Sequence, residues 1–144
     1  MYTTDPLERD VEVTGPISLV LHASTSARDT DFTGTLVDVH PDGKAINICE
    51  GLLRTRYRDS IEEPTLINPG ETYEFNVEIW ETSNMFKAGH RIRLEVSSSN
   101  FPRFDRNPNT GNRPGMDAEM QVADQTIYHD PKRPSRLILP IIPR

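Results

Sequence analysis

The chain carries one cysteine, Cys49, in 144 residues. It cannot close an internal disulfide, so nothing marks an oxidising compartment. Cys49 ends the run Ala45-Ile46-Asn47-Ile48-Cys49 and reads as a small buried hydrophobe rather than a reactive thiol. No apolar run approaches the ~18 residues of a membrane span. The N-terminus lacks the charged-then-apolar pattern of a secretory signal, so a cytoplasmic chain is the expectation. Basic residues are in the minority, and the net charge is −6. Such a field repels nucleic acid and anionic lipid surfaces, so neither is an expected partner. Internal repeats, low-complexity tracts and amphipathic helices are also missing. Only 83–87 and 116–122 would sustain a helical turn or two.

Turn chemistry is abundant. Twelve prolines and eight glycines punctuate short alternating segments, which is the pattern of an all-β chain. Ile17, Leu19, Leu21 and Ala23 alternate with Ser18, Val20, His22 and Ser24. The next segment, 32–39, is apolar on both faces and therefore central. Pro41-Asp42-Gly43 then makes a tight turn, with proline pre-setting φ, aspartate accepting a local hydrogen bond and glycine taking positive φ. The return strand is expected over about 45–58, with Gly51 marking a bulge or bend. Asn68-Pro69-Gly70 leads into the cleanest alternation: Tyr73, Phe75, Val77 and Ile79 inward, Glu74, Asn76, Glu78 and Trp80 outward. Further strands are expected over 91–98, 126–128 and 136–142. About eight strands and no helix favour a two-sheet β-sandwich of jelly-roll type forming a single domain, 1–144. A closed eight-stranded barrel needs more regular strand lengths.

The chemistry-bearing residues are sparse. A serine hydrolase needs a serine, a histidine base and an orienting acid. His22, His40, His90 and His129 lie near no Gly-x-Ser-x-Gly elbow, because the chain has none. Ser97-Ser98-Ser99 reads as a polar strand end. Asp29-Thr30-Asp31 hints at a hard-cation loop, but Phe32 stands where a further ligand is wanted, so backbone bonding at a strand entry is the simpler reading. One cysteine and four dispersed histidines offer zinc no ligand spacing, so no metal and no cofactor is expected. His90, beside Gly89, reads as a turn residue bonded to backbone. Arg54, Arg56 and Arg58 place three cations on one strand face, to be neutralised by carboxylates across the sheet. Trp80 is an outward aromatic that would stack on a sugar or cover a neighbouring domain. The stretch 89–111 joins a regular strand to a loop rich in proline and asparagine that still carries Phe101 and Phe104. Two phenylalanines among so many turn formers imply a packing partner.

Several segments, in this order, resemble the C-terminal domain of the X-Pro dipeptidyl-peptidase and cocaine esterase family of serine hydrolases. They are Asp-Val-Glu-Val-Thr-Gly-Pro at 10–16; Asp29-Thr30-Asp31-Phe32 running through Asp38 to Pro41-Asp42-Gly43; and 51–60 with Arg54, Tyr57, Arg58 and Ser60 in place. Next come Gly89-His90-Arg91 through Asn100-Phe101-Pro102 to Asn107 and Thr110-Gly111, and lastly Ser135-Arg136-Leu137-Ile138-Leu139-Pro140. The resemblance implies a galactose-binding-like jelly roll whose first strands lie upstream of Met1. It also implies a parent enzyme that cleaves acyl esters or X-Pro peptide bonds with a triad in an α/β-hydrolase domain, beside a helical cap. No catalytic residue transfers to this chain. The implied partner is that hydrolase domain, met through Asn100, Phe101, Arg103, Phe104 and Asn107, with Trp80 a further candidate. Asp29, Asp31, Asp38, Arg54, Arg58 and His90 carry the structural motif. Homodimerisation through the orphaned surface is compatible with this reading. A free-standing carbohydrate-binding module, with Trp80 as its platform, is the alternative.

Overall fold

The computed structural model describes residues 1–143 as nine antiparallel strands in two sheets, a jelly-roll β-sandwich. In chain order the strands are β1 (Tyr2–Thr3), β2 (Val11–Thr25), β3 (Asp31–Val39), β4 (Ala45–Arg54), β5 (Tyr73–Phe86), β6 (Arg91–Ser97), β7 (Gln125–Ile127), β8 (Arg136–Ile138) and β9 (Ile141–Ile142). One sheet has the order β1-β6-β3-β4. In the other, β2 pairs with β5 along one edge and with β7, β8 and β9 along its opposite edge.

The alternation seen in the sequence sets the two inner faces. Val13, Ile17, Leu19, Leu21 and Ala23 of β2 meet Phe32 and Leu36 of β3 and Phe75, Val77 and Ile79 of β5 in one fully buried core. Strand β3 is interior to its sheet, as its two-faced apolar pattern requires.

Two bulges depart from simple alternation. In β5 an extra residue falls opposite Ile17, between the pairs Pro16–Glu81 and Ser18–Glu78, and Trp80 there takes φ 71°. One inserted residue reverses the facing of everything after it, so the inward set changes from Phe75, Val77 and Ile79 to even positions ending at the buried Phe86. Strand β5 runs to Phe86, so the helical turn expected over 83–87 is extended chain up to that residue, and 116–122 is irregular rather than helical. The second bulge is at Ile48, between the pairs Leu36–Cys49 and Val37–Asn47.

Gly51 is not the bulge. It lies in regular register opposite Gly34, and its missing side chain lets β4 press against the β5 backbone of the other sheet. Strand β4 also stops short of the expected 58. It ends at Arg54 and turns into a 3₁₀ segment, Thr55–Tyr57, so Arg54, Arg56 and Arg58 do not share a strand face.

Candidate functional site

The long connection between β6 and β7, residues 98–124, is irregular throughout and is held at its foot by buried charge. Asp29, just before β3, is fully buried. Its Oδ1 accepts hydrogen bonds from the Thr55 hydroxyl (2.9 Å) and the Arg56 backbone N–H (3.0 Å). Its Oδ2 accepts from Arg56 Nε (2.8 Å) and Asn107 Nδ2 (3.0 Å). Asp31 takes a two-pronged contact from Arg54, Nε at 2.9 Å and a terminal nitrogen at 3.0 Å, and a second Asn107 hydrogen at 2.8 Å. Hydrogen bonding to Asp31 raises the Arg54 guanidinium above its ordinary value, so its charge is permanent. These carboxylate oxygens are occupied by guanidinium, amide and hydroxyl donors, an arrangement that suits a buried ion-pair network and not a hard-cation loop.

The same arginines then grip the loop. Arg54 donates to the Asp105 carbonyl (3.1 Å) and Arg56 to the Asn112 carbonyl (2.8 Å). Arg58 donates to the Thr65 carbonyl (2.7 Å) and so ties the 60–70 connection to the 3₁₀ turn. The expected neutralisation across the sheet holds for one pair only, Asp31 opposite Arg54 in the ladder. Arg56 and Arg58 find their partners beyond the strand.

The loop residues singled out from sequence divide into two groups. Asn107 is buried in the Asp29–Asp31 network, and Asn100 donates to Glu50 (3.0 Å), which also pairs with Arg103. Phe101 stands exposed under the Arg106 guanidinium, 4.5 Å from the ring centre. Phe104 lies beneath Arg103 and lines a groove of about 660 Å³ with Leu52, Leu53, Tyr57, Ile61 and Glu78. Farther along, Met116, Met120 and Val122 are exposed, Val122 at 91%. These three were not among the sequence candidates. Their signal was available: apolar residues at 116, 120 and 122 in an otherwise polar segment with no strand or helix to bury them.

Trp80 is 63% exposed, on the outward side that the alternation gives it, and stands at the bulge beside Pro16, Glu78 and Glu81. No Ser hydroxyl is bonded to a histidine ring among the described residues. Ser97 Oγ meets the Ser99 backbone, and Ser135 Oγ accepts from the His22 backbone N–H at 2.9 Å. The histidines are less dispersed than the sequence suggested. The His90 imidazole Nδ1 lies 2.9 Å from Asp38 Oδ1, and His40 Nε2 lies 3.7 Å from Asp38 Oδ2. The backbone N–H of His90 does close a turn, onto the Lys87 carbonyl (3.0 Å), but its side chain is turned to Asp38.

The sequence family model described as the X-Pro dipeptidyl-peptidase C-terminal non-catalytic domain matches residues 1–138. The chain belongs to this family. The chain is similar to a part of several larger proteins. Cocaine esterase from Rhodococcus sp. (strain MB1 Bresler) is 51% identical over 99% of this chain and 25% of its own length. An aminopeptidase from a marine sediment Thaumarchaeota archaeon superposes with TM-score 0.93 at 30% identity, over 99% of this chain and 25% of its own. An α-amino acid ester hydrolase does so with TM-score 0.89 at 31% identity, over 98% and 25%. The chain thus spans about a quarter of the length of the relatives it matches.

Proposed function

We propose that this X-Pro dipeptidyl-peptidase C-terminal domain packs on the α/β-hydrolase domain of an acyl esterase or X-Pro dipeptidyl-peptidase and helps wall its active site. One observation carries the reading: nearly the whole chain coincides with a quarter of each of several hydrolases. The surface supports it. The loop foot is tied by Asp29, Asp31, Arg54 and Arg56, while Phe101, Met116, Met120 and Val122 stand in water. Fixing such a loop at its base limits the ordering entropy lost when its apolar face docks. The Phe104 groove adjoins that face and mixes apolar walls with Arg54, Arg58 and Glu78, which suits a contact between domains of 600–1,500 Å² or so that is partly polar.

The test is complementation. Rhodococcus cocaine esterase truncated to remove the matching quarter should be weakly active on p-nitrophenyl butyrate and recover when this chain is added. The chain alone should give no turnover. Recovery should fail with Phe101→Asp combined with Met120→Asp, which disturb no buried contact. Full recovery with that double variant, or turnover by the chain alone, would overturn the reading.

A further inference from the structure

We propose that Asp38, His40 and His90 form a binding site for one borderline divalent cation, with zinc the natural occupant. Strand geometry brings the three together. Asp38 and His40 are two residues apart on β3 and its extension, so they share a face. In the β3–β6 ladder Asp38 pairs with Ile92 and Val39 with Arg91. Carrying that register one step further sets His40 opposite His90 on the same face as Asp38. The rings accordingly lie 4.3 Å apart, centre to centre, and tilted by 35°.

The donor atoms fit a small ion. One ligand atom from each residue lies within 4.8 Å of the others, and the two distances to Asp38 are 2.9 and 3.7 Å. A tetrahedral zinc with bonds near 2.0–2.1 Å holds its ligands roughly 3.3 Å apart. The two separations, to different oxygens of one carboxylate, bracket that value, and the imidazole nitrogens lie within 4.8 Å of each other, so closing the set on an ion asks for side-chain shifts of up to about 1.5 Å. Two imidazoles and one carboxylate suit zinc better than calcium or magnesium, which take oxygen cages. Three protein donors leave a fourth position open.

The backbone around the donors is already fixed. His40 donates its N–H to the Lys44 carbonyl (2.8 Å) and accepts from Gly43 N–H (2.9 Å) across the Pro41-Asp42-Gly43 turn. The His90 carbonyl accepts from Leu7 N–H (2.8 Å), and the Leu7 carbonyl accepts from Gly89 N–H (2.8 Å). A cation here would clip the two turns at this end of the sandwich to each other, and binding only the folded state would stabilise it.

Zinc chloride titrated calorimetrically into the chelator-treated chain, at neutral pH in a non-coordinating buffer, decides the matter. The expected result is one ion per chain, a raised melting temperature, and visible absorption of four-coordinate type when cobalt(II) replaces zinc. Loss of even an outer-sphere partner weakens metal sites ~10–100-fold, so His40→Ala should weaken zinc by at least that much. His40 is one-third exposed and outside the core, so its variant should fold; His129→Ala is the control and should bind as the parent does. If His90→Ala or Asp38→Asn fails to fold, His40→Ala alone carries the test. No uptake at millimolar zinc, or equal affinity in His40→Ala, would overturn the proposal.

Discussion

Gly51 of β4 lies directly against Glu78 of β5: a Cβ placed on Gly51 would sit 1.7 Å from the Glu78 carbonyl oxygen. The two strands belong to different sheets, so this contact sets how closely the sandwich closes along one edge. Gly34, paired with Gly51 across the ladder, offers a comparison. A Cβ there would meet only side-chain ends, Ile79 Cδ1 at 2.7 Å and Leu19 Cδ2 at 2.8 Å.

Gly51→Ala should therefore destabilise the fold by about 3 kcal/mol or more, because the obstacle is backbone and overpacking of this kind commonly costs 1–3 kcal/mol. Gly34→Ala should cost about 1 kcal/mol less, since methyl groups can rotate aside. Urea denaturation of both variants checks the order. A smaller loss for Gly51→Ala would mean that β4 and β5 can separate freely.

The Asp29 network predicts a graded series. Asp29→Asn leaves Arg56 buried beside a neutral partner, and breaking a buried pair in this way costs about 3–5 kcal/mol. Asn107→Ala removes two donors from carboxylates that keep their arginines, a loss of about 1–3 kcal/mol. The second variant should also free the foot of the loop. Limited proteolysis should then cut within 100–122 faster than in the parent, with the far-ultraviolet β signature intact. Unchanged cutting would show that Arg54 and Arg56 suffice to hold the loop.

Sheet composition was legible in the sequence because a half-buried strand must alternate, and β2, β5 and β6 do so plainly. What local pattern could not supply was register. Asp29 meets Arg56 and Asn107 only after β3 and β4 have paired and the loop has folded back, across 27 and 78 positions. The bulge at Trp80 is equally silent, since alternation up to Ile79 gives no notice that one inserted residue will reverse the facing of Thr82 to Phe86. His40 and His90 look unrelated until the β3–β6 ladder puts them side by side. Phe101 and Phe104 were visible as apolar residues in a turn-rich loop. Met116, Met120 and Val122 are equally apolar, but the segment 116–122 also suits a helical turn, which hides their exposure.

Cys49 packs against the core beside the β4 bulge, half-buried, and burial pushes its thiol above the ordinary value. Less thiolate is then present at any pH near 8, and the thiolate is the attacking species. Labelling by a disulfide reagent at pH 8 should be markedly slower in the folded chain than in urea. Equal rates would place Cys49 in open solvent.

Asp117 supplies the sharpest pH test. Its carboxylate accepts hydrogen bonds from the Thr110 hydroxyl (2.6 Å), Asn112 Nδ2 (2.9 Å) and the Glu119 N–H (3.0 Å), and these bonds, the Thr110 one foremost, hold its pKa below the usual carboxylate value. A depressed folded-state pKa means that ionised Asp117 favours the folded loop above its unfolded-state value, and that this support is lost as pH falls through the folded one. The loop should thus stay ordered through pH 5 and loosen only below about pH 4. Carbon NMR of the Asp117 carboxyl should give a midpoint below that of an unstructured aspartate. Thr110→Val, which removes the shortest of the three bonds, should move the midpoint upward. If it does not, the carboxylate is hydrated rather than held, and the far half of the loop lacks the support that its exposed methionines would need to present a fixed surface.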